Sequence, residues 1–430
     1  MSIEIQGEQT RTTELPLERS ADYPELSEVM AISPDGEWLA ALLLKQPSQS
    51  SRHWLLRLYS LRLGTIVDVA EGFYIPSRTT RWSPQLLAWS PDSSKLAFQA
   101  TQKPTIESIH ASIQTLFIYD LSQATLATLL TASAVEVRFD WTADSNMLAV
   151  ARQFCNSDLP NPQCDVELIL FKLAEMSKPN KVNNFASQGL FADHDVLSFC
   201  NFSVSPTGAF AAFVSRCRYD GTTPHEVFVW DTQQNTISQL TDFTTHRLSE
   251  NPNVATYYST FWGGSETLLI SALTIENYAT PSEIRTGNTL EAHIPSNTQK
   301  KVFDIAISEW SVNPITYDLA YVVRANTIGE SVISPMPSHV NLLQAENAQL
   351  TINSELINAS EVLPKGCLLQ WSPDGEWLAY QTPSAVASQC TALLAEQFIF
   401  YNATTKQLLQ FELPEIDDRM LSQAVGWVLK

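Results

Sequence analysis

The sequence predicts an all-β protein made of one repeated antiparallel unit. Three observations carry that reading: an octapeptide that occurs twice, degenerate copies of it in the interval, and a second strand–turn–strand pattern that recurs between copies. Ser33-Pro34-Asp35-Gly36-Glu37-Trp38-Leu39-Ala40 returns unchanged as Ser372-Pro373-Asp374-Gly375-Glu376-Trp377-Leu378-Ala379, 339 residues later. Between them Ser90-Pro91-Asp92 precedes Leu96-Ala97-Phe98, Thr142-Ala143-Asp144 precedes Leu148-Ala149-Val150, and Ser205-Pro206-Thr207-Gly208 precedes Phe210-Ala211-Ala212-Phe213. Weaker echoes stand at Trp262-Gly263-Gly264-Ser265 and Trp310-Ser311-Val312-Asn313. Copies spaced by about 56 residues mark a repeat architecture rather than a string of unrelated domains.

The octapeptide is turn chemistry followed by strand. Proline presets φ at the first corner, the aspartate side chain bonds nearby backbone N–H groups, and glycine accepts positive φ without a steric cost. Apolar runs flank it, such as Trp38-Leu39-Ala40-Ala41-Leu42-Leu43-Leu44, and short continuous runs of this kind suit strands covered on both faces. These are strands A and B. The second pattern supplies C and D: Leu116-Phe117-Ile118-Tyr119-Asp120 leads through Leu121-Ser122-Gln123-Ala124 into Thr125 to Leu130. Val227-Phe228-Val229-Trp230-Asp231 leads likewise into Thr236 to Leu240, and Phe398-Ile399-Phe400-Tyr401-Asn402 into Gln407 to Phe411. One four-stranded sheet cannot bury two apolar faces by itself. Stacking such sheets radially covers both, which is a β-propeller.

The repeats read as 29–70, 86–131, 136–186, 199–241, 258–305, 307–353 and 367–412, seven complete units. Residues 1–28 form an N-terminal segment, with strands at Ile3 to Gln6 and Thr12 to Leu17, that contributes to ring closure; residues 29–430 are the propeller. At the other end Ala424-Val425-Gly426-Trp427-Val428 repeats the strand-A pattern of Leu369-Gln370-Trp371. Joined to the N-terminal strands it would make an eighth, composite closing blade. Seven blades with added seam strands is the alternative.

The run from Trp371-Ser372-Pro373-Asp374-Gly375 through Leu378-Ala379-Tyr380 resembles the WSPDG-type repeat of the TolB-like, WD-repeat-like β-propeller family. The same repeat occurs in the propeller domains of prolyl-oligopeptidase-like peptidases. The resemblance covers nearly the whole chain. It implies a propeller used for binding, because the motif residues belong to turns and strands and not to a shared catalytic site.

Composition narrows the partners. The formal net charge is −20, so the surface repels phosphate, and nucleic acid and anionic membrane are poor partners, whereas basic or neutral polypeptide suits it. No signal-peptide pattern is visible after Met1, which places the protein in the cytoplasm if Met1 is the native start; removal of a leader would instead make it periplasmic or extracellular. Of six cysteines, Cys155 and Cys164 bracket one loop and are the pair best placed for a bridge. Buried free thiols are the other reading of all six. No CxxC pair or spaced histidines point to zinc, and no cofactor or metal site is expected. His194, between Asp193 and Asp195, is the one local cluster of ligand types, and a solvated loop is its default.

No G-x-S-x-G elbow or phosphate-binding glycine loop occurs. The turn aspartates Asp35, Asp92, Asp144 and Asp374 serve their own backbones. Trp89, Trp141, Trp262, Trp310, Trp371 and Trp427 recur at the end of strand A, a placement that packing between blades demands. The expected function is therefore a non-enzymatic protein- or peptide-binding scaffold. Its alternatives are an enzyme or ligand-binding propeller using the central mouth, or a peptidase-type propeller without its catalytic domain. Specificity is expected on the B–C and D–A connections, which are long and dissimilar while the A–B turns are short and uniform. Phe73, Tyr74, Arg78, Arg81 and Trp82 in one connection, with Tyr257, Tyr258 and Tyr278 in others, are the candidate anchors.

Overall fold

Each Ser-Pro-Asp-Gly turn closes on its own hydrogen bonds. In the first, Gly36 N donates to Ser33 O at 2.8 Å and Ser33 N to Trp38 O at 2.8 Å. Trp38 N donates to Ser33 Oγ at 2.9 Å, and that hydroxyl donates to Asp35 Oδ1 at 2.5 Å. Asp35 Oδ1 also accepts from Glu37 N at 3.0 Å. One serine and one aspartate thus satisfy the loop, and the residue that follows takes left-handed φ: Gly36 at 72° and Gly375 at 71°, with Gly208 at 74° in the same place after Thr207. Ser93 and Ser145 hold the same position at 61°.

The computed structural model describes residues 2–6, 9–13, 25–44, 52–74, 87–102, 113–133, 136–155, 164–173, 180–186, 199–215, 226–241, 255–276, 284–303, 307–313, 319–323, 339–343, 361–365, 367–372, 374–383 and 395–412. Among them the strands group into seven four-stranded antiparallel sheets and one two-stranded sheet, the repeat of a β-propeller. The chain divides into two compact units.

One unit spans Pro16–Arg218, Val227–Gln239 and Val425–Lys430. Its first sheet is β3 (Glu25–Ile32), β4 (Trp38–Leu44), β5 (Arg52–Ser60) and β6 (Ile66–Tyr74) in chain order. The second is β7 (Leu87–Trp89), β8 (Lys95–Gln102), β9 (Ile113–Asp120) and β10 (Thr125–Ser133). The third is β11 (Glu136–Trp141), β12 (Met147–Cys155), β13 (Cys164–Lys172) and β14 (Asn180–Ala186). The fourth is β15 (Phe199–Val204), β16 (Phe210–Ser215), β17 (Glu226–Asp231) and β18 (Thr236–Gln239). Cores lie between successive sheets, and the two-residue period of a strand sorts side chains between them. On β12, Leu148 and Val150 join a cluster with Ala97, Leu116 and Ile118 of the second sheet, whereas Ala149 and Ala151 join one with Phe202, Val204 and Phe213 of the fourth. Similarly, Leu96, Phe98 and Ala100 of β8 pack with Ala40, Leu56 and Leu58 of the first sheet.

The other unit spans Met1–Leu15, Tyr219–Glu226 and Leu240–Ala424. It holds β19 (Ala255–Trp262), β20 (Thr267–Glu276), β21 (Ile284–His293) and β22 (Thr298–Phe303), then β23 (Ile307–Val312), β24 (Leu319–Val323), β25 (His339–Leu343) and β26 (Glu361–Lys365). Its last sheet is β27 (Cys367–Trp371), β28 (Trp377–Pro383), β29 (Ala395–Asn402) and β30 (Leu408–Glu412). Ala320 and Leu363 pack there with Trp371, Tyr380, Ile399 and Tyr401.

Several boundaries differ from the sequence reading. The first repeat begins at Glu25 rather than Val29, and its strand D runs on to Tyr74. In the sixth repeat the fourth strand is Glu361–Lys365, beyond the 307–353 assigned to the unit; Val362, Leu363 and their register against Asn341 and Val340 decide it. At the N-terminus β1 (Ser2–Gln6) pairs with β2 (Gln9–Thr13) as a hairpin, so the second N-terminal strand begins at Gln9 rather than Thr12 and, among the described residues, pairs with β1 alone; residues 14–17 lie outside the described residues. Residues 413–430, on which a composite eighth blade depends, lie outside the described residues, and so does the cluster around His194.

Gly375 and Gly64 separate two costs of a side chain at positive φ. A Cβ on Gly64 (φ 68°) meets nothing within 4 Å, while one on Gly375 runs into the side chain of Asn313, itself fully buried. Gly64→Ala should therefore lose only the left-handed preference, about 1 kcal/mol. Gly375→Ala should lose clearly more, about 2–3 kcal/mol with the displacement of Asn313 added. Urea unfolding of the two variants checks the order, and equal losses would contradict this account of the turn.

Candidate functional site

The two ends of each blade differ. At the A–B/C–D end the turns are held together by one recurrent bond: Leu61 N donates to Glu37 O at 2.8 Å, Leu121 N to Ser94 O at 3.0 Å and Leu173 N to Asn146 O at 2.9 Å. Thr232 N–Ala209 O, Ile294 N–Glu266 O and Ala403 N–Glu376 O, each 2.9 Å, repeat it. The C–D turns are capped by the last residue of strand C. Asp120 Oδ1 accepts from Gln123 N at 3.0 Å, Asp231 Oδ1 from Gln234 N at 2.8 Å, and Asn402 Oδ1 from Thr405 N at 2.8 Å. Left-handed residues Gly64, Ala124, Asn235, Asn297 and Lys406 complete these turns. The amides named here are spent on the turns themselves.

Neighbouring blades are tied at the same level. Asp35 N donates to Ser93 Oγ and Asp92 N to Ser145 Oγ, both at 2.9 Å. The tryptophan closing strand A donates Nε1 to the preceding blade: Trp89 to Ala31 O at 3.0 Å, Trp141 to Ala88 O at 3.0 Å and Trp371 to Ser311 O at 3.2 Å. These rings are buried, as is Trp262, which agrees with a packing role for the series. Trp310 departs from it. Val312 is the residue opposite Leu319, where Trp371 is opposite Leu378, so Trp310 sits two places earlier on β23 and meets Phe261 with ring centroids 5.2 Å apart. Asn313-Pro314 standing where other repeats have Ser-Pro accounts for the offset. Trp427 lies outside the described residues.

The turn carboxylates behave as backbone caps. The hydroxyl of Thr142, with help from Asn146, holds Asp144 below the usual carboxylate range. At Asp92, burial pushes the carboxyl up, but hydrogen bonds from Ser90 and Ser94 outweigh it and leave the group lowered.

Asp140 is a carboxylate that sequence reasoning passed over. It lies on β11 at the strand-A position held by Ala88 in the preceding blade. Its Oδ1 accepts from Trp141 N and its Oδ2 from Val204 N of β15, both at 2.9 Å, so it bridges two inner strands. Part of the residue is accessible, yet its carboxylate is desolvated, and burial pushes it up to about 6 against the downward pull of the two amides. The signal in the sequence was a carboxylate next to the closing tryptophan, at the place where the preceding blade has Ala88. Ion pairs also cross the ladders: Arg57 Nε to Asp68 Oδ1 at 2.6 Å, with Nη2 to Oδ2 at 3.0 Å, and Arg152 Nε to Glu167 Oε2. The hydrogen bond to Asp68 raises the Arg57 guanidinium further.

Four of the candidate anchors lie on described strands, two in each unit. Phe73 and Tyr74 are strand residues, opposite His53 and Arg52 at the end of the β5–β6 ladder. Tyr257 and Tyr258 belong to β19, opposite Leu273 and Ala272. The sequence reading had both pairs in connections; the aromatic rings that mark an anchor also favour strand. Arg78, Arg81, Trp82 and Tyr278 lie outside the described residues.

No protein-family model matches the chain, and no curated protein matches it. Solved structures do. A prolyl endopeptidase aligns with a TM-score of 0.50 at 13% identity, over 91% of this chain and 51% of its own. This chain therefore spans about half the length of that enzyme. TolB from Acinetobacter baumannii matches at a TM-score of 0.35 and 13% identity, over 88% of this chain and 80% of its own. The β-propeller domain of the Trilobed protease from Pyrococcus furiosus matches at 0.46 and 11% identity, over 94% and 100%. The likeness that the WSPDG repeats suggest is one of fold. Among the described residues no helix is long and apolar enough to cross a membrane.

Asp140 supplies a test by pH. Its folded value lies above the unfolded one, so the cost of ionising it is absent below about 4 and complete above about 6. Stability of the wild type relative to Asp140→Asn should fall as pH rises through that window, although the variant also loses one amide acceptor at every pH. Urea unfolding of both proteins at several pH values reads this, and a difference that stays flat would contradict the desolvated bridge.

Proposed function

We propose that the chain is a non-catalytic binding propeller that docks a polypeptide partner at the end of its blades carrying the B–C and D–A connections. What supports this is the asymmetry of the blade ends. The A–B/C–D end repeats one hydrogen-bonded arrangement in six of the seven described four-stranded sheets. The opposite end carries connections that share neither length nor composition, and loops without a common structural duty are where specificity concentrates. Phe73 and Tyr74 on β6 of one unit, and Tyr257 and Tyr258 on β19 of the other, are of the residue type that dominates interfaces. The net charge of −20 favours a partner with basic segments and disfavours nucleic acid.

Cross-linking of the full chain in extracts of its source cell, followed by mass spectrometry, identifies the partner and the linked residues. Links should map to the B–C and D–A connections. With the purified partner, Tyr74→Ala together with Trp82→Ala should weaken binding by about 2 kcal/mol or more, roughly thirtyfold in Kd. Gln123→Ala and Gln234→Ala, at exposed turn positions of the other end, should leave it unchanged. Loss of binding from the glutamine changes alone would overturn the assignment, as would turnover of a peptide substrate by the purified chain.

A further inference from the structure

We propose that Cys155 and Cys164, which stand directly opposite one another as the last pair of the β12–β13 ladder, form a redox-active pair that a low-molecular-weight disulfide oxidises to an internal disulfide. The register runs without a break from Met147↔Lys172 to Cys155↔Cys164. Residues opposite each other in an antiparallel pair share one face of the sheet, with Cα atoms about 4.5–5.5 Å apart, inside the range a disulfide spans.

That register is pinned. Arg152 lies opposite Glu167 three places inward, and their side chains form an ion pair with Glu167 buried. Leu148, Val150, Ile169 and Phe171 commit one face of the hairpin to one core, while Ala149, Ala151, Leu168 and Leu170 commit the other face to a second. A slip by one residue would exchange the two sets and break the ion pair, so the cysteines stay opposed. The other described cysteines lack such a partner in register: Cys200 is opposite Val214 and Cys367 is opposite Gln381.

The chemistry is thiol–disulfide exchange. The thiolate of one cysteine attacks a sulfur of oxidised glutathione, forming a mixed disulfide and releasing one glutathione thiolate. The second cysteine thiolate attacks the protein sulfur of that mixed disulfide, forming Cys155–Cys164 and releasing the second glutathione thiolate. Two cysteine thiols are oxidised and one glutathione disulfide is reduced to two thiols, so electrons and protons balance. Because the ladder holds the two cysteines opposite each other, the internal step outruns the capture of another glutathione.

The test uses the full chain, reduced and then equilibrated with oxidised and reduced glutathione. After acid quench and alkylation, cleavage before Asp158 and Asp165 separates the two cysteines unless they are bonded. The expected result is a linked pair of peptides carrying Cys155 and Cys164, with both alkylation sites lost together. Cys155→Ser should leave Cys164 alkylated or carrying one glutathione, and Cys164→Ser should do the same for Cys155. Alkylation of both residues in the wild type under a buffer that glutathionylates the single variants would overturn the proposal. So would a bond from either residue to any other cysteine.

Discussion

A sheet with apolar side chains on both faces is stable only when both faces are covered, and every second strand of the repeat here is of that kind. Ala40, Leu96, Ala97, Leu148, Ala149, Ala211, Leu268, Leu269 and Leu378 are all inaccessible to solvent. On β12 the alternation is complete, with successive residues sent to two different cores. Burial of a Leu, Ile or Phe is worth about 1.5–3 kcal/mol, so no single sheet of this sequence could hold its shape in water. Stacking against like sheets is the response, and each stack has to be set in angle and height.

Directional bonds supply that setting. The backbone amide of one turn's aspartate reaches the hydroxyl of the next blade's Ser93 or Ser145, and the closing tryptophan of one blade reaches a carbonyl of the one before. In the repeats with glycine at the serine position the neighbour contributes differently. Asn313 Nδ2 donates to Gly375 O at 2.8 Å, and Ala143 N donates to Pro206 O at 3.2 Å. A left-handed serine is strained by comparison with glycine, and the bond it receives offsets that strain. The blade end built this way repeats one set of bonds within and between blades.

How far this was legible in the sequence follows from how local each signal is. Turns are local: Ser-Pro-Asp-Gly, the residue caps and the left-handed glycines all lie within a few residues of what they stabilise, and the repeat made them visible. Strand ends are less local, which is why Phe73, Tyr74, Tyr257 and Tyr258 passed for loop and why the fourth strand of the sixth repeat was sought near Asn353 rather than at Glu361. The bonds between blades at Ser145, Asp140 and Val204 join residues 53 and 64 positions apart, and nothing in a single sequence pairs them. Cys155 and Cys164 fall between these cases. They are close enough along the chain to be noticed, and the unbroken register from the core outward is what sets them opposite.

The central claim is that neighbouring blades are coupled turn to turn by single hydroxyls, and residue-resolved amide hydrogen exchange tests it most directly. Asp35 and Asp92 lie on the surface, yet their amides should exchange slowly because Ser93 and Ser145 accept from them. Ser93→Ala should release Asp35 and leave Asp92 protected, while Ser145→Ala should release Asp92 and leave Asp35 protected. Fast exchange of both amides in the wild type, or variants that change neither, would contradict the coupling.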